Sequence, residues 1–346
     1  MRGIAKPPRV VLFISRTPAI MGLLLSRRVA RALLSLCGLA AGWVATLPAQ
    51  SLPPYSPMNP LAYSRSGLET MPYRDPAAGW RLSIITDYAN LIELADIPAS
   101  RLLIDAELLR TELTVSRDVG TRTFLFGGLG LNGAYDGFLD GFLNWYHDLT
   151  GLQVAGREQR PKNQYFYDLE LAGGLHVTPP NPGEWLGDIR LGAGYRFTRH
   201  WQMAAWTTIP TGDGPAGFRR GVLTANAIAT IRAHFARRFT YEGSLGFGWS
   251  ARHGALENLE RTTFAQVSSG VRARIVGPLH LYSNIVYHSP YYRNAGIQAV
   301  DRRELTIDSG GIFKFRRGPE WIVGLTEDLE PSGPAIDVAF RIGARW

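Results

Sequence analysis

Apolar and polar side chains alternate with a period of two along much of this chain. The pattern is clearest at the C-terminus, where every second residue from Val338 to Trp346 is apolar and Arg341 and Arg345 lie between them. Successive side chains of a β-strand point to opposite faces, so this pattern predicts a strand with one apolar and one arginine-bearing face. The same alternation in 189–198 predicts another strand of this kind.

Twelve such stretches, separated by Gly, Pro and Asn, predict an all-β fold. The predicted strands are 80–90, 101–115, 121–131, 187–198, 200–210, 219–235, 238–250, 262–276, 278–289, 303–317, 319–328 and 336–346. Short and long connections alternate between them, which places all the short turns at one end of the strand array. The apolar phase changes once, between Leu108 and Leu109, and there we expect a β-bulge.

Three features favour a transmembrane antiparallel up-and-down β-barrel over a soluble β-sandwich or a lipocalin-like barrel. The predicted strands are about ten residues long, which suits tilted strands that cross a bilayer. Their polar faces carry arginines that a dry core would not tolerate unpaired. Aromatic residues lie at strand ends, as in the girdles of membrane barrels. These aromatic residues are Trp80, Trp201, Trp206, Trp249, Tyr287, Trp321 and Trp346.

The end of the chain also points to a membrane barrel. Phe340 and Trp346 lie on the apolar face of the last predicted strand, and Trp346 is the final residue. This arrangement resembles the C-terminal membrane-insertion signal of bacterial outer-membrane barrels. We therefore expect about twelve transmembrane strands in the bacterial outer membrane.

The net charge of +8 does not indicate a nucleic-acid partner. Residues 1–49 hold seven basic side chains and no acidic one, and the rest of the chain holds 30 basic against 29 acidic side chains. The excess therefore belongs to a targeting segment. Arg27, Arg28 and Arg31 precede an apolar stretch over 32–45 that is too short to span a bilayer, as in a signal peptide.

These observations give a domain organisation. We predict a signal peptide over 1–49, with Met21 as an alternative start, and an irregular leader over 50–79. The outer-membrane barrel then covers 80–346, and 132–186 forms one long, helix-containing extracellular loop.

The single cysteine, Cys37, lies within the predicted signal peptide. The mature chain would therefore hold no disulfide, no thiolate metal site and no cysteine nucleophile. We expect no cofactor and no metal ion. The expected partners are outer-membrane lipid, periplasmic chaperones and the barrel-assembly machinery that export to the outer membrane requires.

Several short motifs resemble a bacterial family catalogued as domain of unknown function 3187. The motifs are Gly137-Phe138-Leu139-Asp140-Gly141-Phe142, Trp145-Tyr146-His147, Gly156-Arg157-Glu158, Ser289-Pro290-Tyr291-Tyr292, Glu327-Asp328 and Ile336-Asp337-Val338. The resemblance extends from about residue 57 to the end of the chain. It implies an outer-membrane barrel, and it transfers no catalytic residue to this sequence.

Helical periodicity in the long loop predicts an amphipathic helix over 135–149. Its polar side carries Asp136, Asp140, His147 and Asp148. Three interpretations remain open for these residues: a solvated surface, oxygen ligands of a divalent cation, or an acidic plug that folds into the lumen.

The polar strand faces predict an arginine-rich lumen. Its cationic residues are Arg190, Arg196, Arg232, Arg272, Arg274 and Arg341, and the acidic residues expected opposite them are Glu107, Glu112 and Asp308. Such a lumen favours a narrow channel or transport pore for small polar or anionic solutes. Arg232, Arg272 and Arg341 are the residues that we expect to set selectivity.

Two other functions remain as alternatives: a lipid-modifying enzyme and a structural barrel with a filled lumen. His280, Ser283 and Asn284 have the residue types of a catalytic serine, histidine and asparagine. Strand alternation directs Ser283 away from the other two, however, and no Gly-x-Ser-x-Gly motif is present. An enzyme is therefore the less favoured alternative.

Overall fold

The computed structural model describes residues 51–346 except 99, 151–159, 173, 237, 331–332 and 335, and it does not describe the side chains of His147 and Thr150. The predicted signal peptide, the motif Gly156-Arg157-Glu158 and the His147 side chain therefore lie outside the described residues. Within the described part of the chain, no helix is long and apolar enough to cross a membrane.

The described residues form fifteen strands and three short helices. The strands are β1 (Trp80–Ile97), β2 (Ser100–Val119), β3 (Thr123–Tyr135), β4 (Phe166–Leu171), β5 (Leu175–Val177), β6 (Gly183–Leu186), β7 (Ile189–Arg196), β8 (Trp201–Ile209), β9 (Thr224–Phe235), β10 (Phe239–Ser250), β11 (Thr263–Val276), β12 (Leu279–His288), β13 (Glu304–Lys314), β14 (Glu320–Asp328) and β15 (Val338–Arg345). The helices are α1 (Pro60–Tyr63), α2 (Asp140–Thr150) and α3 (Gln298–Asp301).

Twelve strands, β1–β3 and β7–β15, form a closed antiparallel barrel. The ring closes where β1 pairs with β15, for example through Asp87 and Arg341, and β3 pairs directly with β7 across the long loop. Closure satisfies every backbone ladder and leaves no strand edge in the wall, as a lipid environment requires. The predicted twelve-stranded barrel is confirmed. Outside the ring, β4 pairs with the end of β2, β5 pairs with β4, and β6 pairs with the end of β3.

One predicted loop is instead part of the barrel wall. We expected a connection over 91–100, but β1 and β2 continue their ladder to Ile97 and Ser100. The period-two pattern ends there because both faces of the hairpin are covered, so apolar residues such as Leu91 and Ile92 are buried on successive positions. The hairpin lies at the end of the long loops, which is the extracellular end in outer-membrane barrels.

The predicted β-bulge near Leu108 is wrong. The β1–β2 register runs one to one along both strands, and β2–β3 pairing is also regular. The phase change has another cause: the inward residues of β2 are apolar near the extracellular end, as at Ile104, and polar further down, as at Glu112. The residues that line the lumen change from apolar to polar along β2, while the strand pairing stays regular.

The outer face of the wall is an apolar belt. It carries exposed residues on neighbouring strands, including Leu245, Val267, Val323 and Ile342. Trp80, Trp201, Trp249 and Trp321 lie exposed near strand ends, as the girdle prediction requires. Trp206 is an exception, because its buried ring faces the lumen and Nε1 donates to the Gly67 carbonyl at 3.0 Å.

A charge on the apolar belt is expected to destabilise the barrel in lipid. Leu245 lies near the middle of β10 and is 47% exposed. We expect Leu245→Arg to lower the free energy of unfolding in lipid vesicles by about 2–4 kcal/mol. Glu257→Arg, in the exposed 251–262 loop, is the matched control and should change it by less than about 0.5 kcal/mol. Equal urea midpoints for the two variants would contradict a lipid-facing position of Leu245.

Candidate functional site

The N-terminal segment 51–77 lies inside the barrel, and we call it the plug. It begins at the short-turn end, where Arg345 donates to the carbonyls of Ser51 and Leu52 at 3.1 and 3.2 Å. It reaches the long-loop end at Arg65, whose guanidinium donates to two loop carbonyls at 3.1 Å. It then returns to the short-turn end, where the Ala77 N–H donates to Asp118 at 2.6 Å. The predicted leader is therefore irregular but fills the lumen.

The two arms of the plug are joined to each other. The Thr70 N–H donates to the Tyr55 carbonyl at 2.9 Å, and the Tyr55 N–H donates to Thr70 Oγ1 at 2.7 Å. Helix α1 forms the bend, with the Asn59 side chain accepting from the Leu61 N–H at 3.0 Å and Pro60 at its first position. Prolines elsewhere in the segment lack the N–H that a strand ladder needs, so the arms stay irregular.

Near the long-loop end, the plug is held by apolar packing. Leu61, Ala62 and Leu68 are buried in the main core cluster of the barrel. Their partners in that cluster include Ile104, Leu108, Phe126, Trp206 and Phe264 of the wall. Gly67 passes so close to the wall that a Cβ atom there would lie 2.9 Å from Thr208 Oγ1. Glycine is required at this position because the backbone approaches strands β8 and β9 directly.

Ion pairs hold the plug along its length. Glu69 pairs with Arg190, and Asp75 accepts both Arg232 Nη1 and Nη2, at 2.7 and 2.5 Å. Two charge-assisted bonds to one carboxylate fix its orientation as well as its position.

At the long-loop end, Arg65 Nη1 lies 3.2 Å from the Glu260 carboxylate. Burial raises the pKa of Glu260 and lowers the pKa of Arg65, although each partner acts in the opposite direction. The pair therefore fixes the plug at the long-loop end, and its formation removes both charged groups from water at a cost in free energy.

Two further contacts join the plug to strand ends at the long-loop side. The Tyr55 and Tyr291 hydroxyls both donate to the Glu304 carboxylate. Ser66 Oγ lies 3.0 Å from His288 Nε2, and His288 Nδ1 lies 2.7 Å from the Ser289 carbonyl.

The Ser66–His288 pair has the residue types of a nucleophile and its base, but Ser66 is 3% exposed and His288 is fully buried. A substrate could not reach this pair, so it acts as a structural contact in this conformation. His280 and Asn284 face inward and Ser283 faces Ser309 on the other side of the wall, so the three residues do not converge.

The predicted lumen arginines mostly have acidic partners in the wall itself. Arg341 binds Asp87 and Asp308 at 2.7 and 2.6 Å. The other wall pairs are Arg196–Asp118, Arg190–Glu112, and Arg272 and Arg345 with Glu320. Paired, buried charges present little net field, so the expected selectivity role of Arg341 is not supported by its surroundings.

Glu107 does not face the lumen. It pairs in register with Asn90, on the same outward face as Tyr88 and Phe340. There it is buried beneath the start of the long loop, accepting from the Phe138 N–H at 2.7 Å and the Tyr88 hydroxyl at 2.6 Å. The alternation assigned it inward because the expected bulge would have reversed the face.

Helix α2 lies against the outer wall and is not the plug. Phe142 meets Phe340 edge-on at 5.7 Å between ring centroids, and Phe138 stacks on Tyr88 at 5.4 Å. Leu143 is buried on Val338. The aromatic stripe therefore packs on lipid-facing strand residues, which sequence periodicity cannot distinguish from packing inside the lumen.

The acidic residues of the long loop make separate hydrogen bonds. Asp140 accepts from Asn90 Nδ2 at 3.1 Å and from the Asn163 N–H at 2.6 Å, and Asp136 accepts from Asn181 at 2.8 Å. Asp148 is exposed. No cluster of three or more potential metal ligands occurs among the described residues. The interpretation of this segment as a cation site has no support here.

Residues of the plug were not predicted as functional. Glu69 and Asp75 are the plug acids that pair with predicted lumen arginines. One signal was available: the leader carries acids and tyrosines that a disordered spacer does not need. Nothing local in the sequence indicates that these residues enter the barrel.

Comparisons with known proteins agree with this architecture. The family model described as protein of unknown function (DUF3187) matches residues 53–211, which confirms the resemblance over that range. The COG4313 outer membrane channel from Pseudomonas putida F1 aligns with a TM-score of 0.52 and 12% identity, over 79% of this chain and 97% of that chain. That likeness shows a shared fold. A search of curated proteins finds no match.

Two further solved barrels align less closely. The NanC porin gives a TM-score of 0.43 at 8% identity, over 76% of this chain and 98% of that chain. The Pseudomonas putida toluene transporter TodX gives 0.38 at 11% identity, over 87% and 98%.

Removing Arg341 is expected to destabilise the barrel, because two buried carboxylates would lose their cation. We expect Arg341→Gln to lower the free energy of unfolding by about 3–5 kcal/mol. The triple variant Asp87→Asn/Asp308→Asn/Arg341→Gln should recover most of that loss, since no buried charge remains. Both are measured by urea unfolding in vesicles. A variant Arg341→Gln with unchanged stability but altered ion selectivity would show instead that Arg341 acts on passing solutes.

Proposed function

We propose that this chain, whose residues 53–211 match the DUF3187 family, is a narrow outer-membrane channel for small polar or anionic solutes. In the conformation described here, its own N-terminal plug holds it closed. The cavities left between plug and wall are small: ≈100 Å³ beside strands β1–β3 and ≈40 Å³ beside Gly128 and Gly130. A solute would pass only after the plug has moved.

The observation that carries this proposal is the charge pairing within the wall. If the plug left, Arg190 would keep Glu112, Arg345 would keep Glu320, and Arg341 would keep both of its carboxylates. Arg232 is the exception, because its ion pair is with Asp75 of the plug. A wall that pairs most of its own charges can line water without the plug, as the polar interior of a porin does.

The contact between plug and wall also has the character of a hydrated interface. Both polar atoms of the Gln266 side chain and Asn284 Oδ1 are buried without a hydrogen-bond partner among the described residues. In a dry core each such group would cost about 1–3 kcal/mol. Polar wall residues of this kind favour a lumen that admits water.

A structural barrel with a permanently filled lumen is the second candidate. The observation that favours it is the apolar packing of Leu61, Ala62 and Leu68 near the long-loop end. These three side chains would be exposed to water if the whole plug withdrew, at a cost of roughly 1.5–3 kcal/mol for each leucine. Movement limited to the arm after Gly67 would keep Leu61 and Ala62 packed, but it would still expose Leu68.

Deletion of the plug tests the channel directly. We expect removal of residues 53–76 to raise the single-channel conductance in planar bilayers at least about tenfold over the full chain, because the polar lumen then fills with water. The matched control removes helix α2, residues 140–150, from the outer wall and should leave the conductance unchanged. A folded plug-deletion variant without any current would contradict the channel proposal and support the structural barrel.

A disulfide that locks the plug provides a test without deletion. Leu68 of the plug lies against Gly248 of β10, where a Cβ would lie 3.5 Å from Leu68 Cβ, and the predicted mature chain contains no other cysteine. We expect Leu68→Cys/Gly248→Cys to lose the openings of the full chain when oxidised and to regain them with a reductant. Each single cysteine variant is the control. A locked variant that opens as often as the full chain would place the gate elsewhere.

A further inference from the structure

A basic cavity opens at the short-turn end of the lumen, which is the periplasmic end in outer-membrane barrels. We call this ≈540 Å³ cavity the vestibule. Its charged or titratable lining residues are Arg232, His234, Arg238, Arg272, Arg274, His280, Lys314 and Arg316. Among the described residues, no aspartate or glutamate lines it. The vestibule is distinct from the plugged part of the lumen, although Ser51 of the plug forms part of its wall.

Two of the six vestibule cations are already paired. Arg232 binds Asp75 of the plug, and Arg272 Nη2 lies 3.3 Å from Glu320. The other four, at positions 238, 274, 314 and 316, form no ion pair among the described residues, although Glu320 lies opposite Lys314 in the β13–β14 register. The vestibule therefore presents an excess of positive charge to one cavity that opens at the barrel end.

The fold brings these cations together from one arc of the rim. Arg272 and Arg274 lie near the end of β11, Lys314 ends β13, and Arg238 and Arg316 lie in the β9–β10 and β13–β14 turns on either side. Register fixes their direction: Arg274 pairs with inward-facing His280, and Arg272 pairs with Thr240, which also lines the cavity. Arg272, Arg274 and Lys314 lie on the inner face of the wall, which is directed away from lipid headgroups outside the barrel. Their natural counter-ion is a solute within the lumen.

We propose that the vestibule is a binding site for small oxyanions that carry three or four negative charges, the class of polyphosphates and polycarboxylates. Guanidinium groups match carboxylate and phosphate oxygens in bidentate geometry, and an ammonium adds a compact charge beside them. An anion of this charge neutralises the cations that form no ion pair, and the enclosing wall strengthens the attraction. The role of the vestibule as the periplasmic solute site of a channel rests on the proposed function. Anion binding itself does not require that the anion pass through the barrel.

Binding to the full chain in detergent tests this site. The probes are pyrophosphate and citrate, titrated calorimetrically at about 0.15 M salt and again at higher salt. We expect saturable binding of one anion per chain that weakens as salt rises. Arg274→Gln/Lys314→Gln should weaken it at least roughly tenfold, because each substitution removes a charge-assisted contact. Saturation by both probes indicates recognition of charge, and saturation by pyrophosphate alone indicates phosphate geometry; either supports the site.

The matched control is Arg122→Gln/Arg199→Gln, which removes the same charge from turns at the same end but outside the vestibule. It should change the affinity by less than about twofold, since these side chains do not line the cavity. Retained resistance to unfolding in detergent at room temperature shows that each variant is folded. The proposal is overturned if the full chain shows no saturable binding, or if the control pair weakens binding as much as the vestibule pair.

The conductance of the plug-deletion variant separates this result from the proposed function. If the barrel still conducts but does not bind anions, the vestibule proposal is contradicted and the channel proposal is not. Saturable binding in a barrel that never conducts would leave an anion-binding barrel without a channel.

Discussion

Pairing of buried charge is the constraint on which this barrel depends. A plugged lumen cannot hydrate arginines freely, so an arginine that is buried there needs an acid within reach. The Arg341 guanidinium meets this need with Asp87 of β1 and Asp308 of β13, across the seam where the barrel closes. Similar pairs involve Arg196 and Arg345. The polar strand faces therefore form a network that supports the wall from inside, while apolar faces meet lipid outside.

The plug extends the same network to a segment that is not part of the wall. Glu69 and Asp75 pair with wall arginines, and Arg65 pairs with the loop residue Glu260. Apolar contacts of Leu61 hold the bend of the plug near the long-loop end. The returning arm combines the ion pairs of Glu69 and Asp75 with the buried side chains of Leu68 and Met71. Apolar packing and charge pairing therefore act together on this arm.

Charge is distributed unevenly along the lumen axis. The middle is balanced by wall pairs, whereas the vestibule at the short-turn end holds cations and, among its described lining residues, no acid. The boundary between the two lies at Arg232, whose carboxylate partner belongs to the plug. An anion in the vestibule would lie beside the ion pair that fixes the returning arm. The proposed anion site and the plug therefore share Arg232.

The sequence alone determined the barrel, because strand alternation, turn spacing and the apolar outer face are local patterns that lipid imposes on every strand. All twelve wall strands were predicted, and the lumen positions of Arg190, Arg232 and Arg341 follow from the same alternation. Only the tertiary structure decided what fills the lumen. Helix α2 has an apolar face that could pack inside the lumen or against the outer wall, and the leader has no periodic pattern. Sequence periodicity indicates that a face is buried, but it does not indicate which surface covers that face. Glu107 shows the same limit: its face depends on a register that only strand pairing fixes.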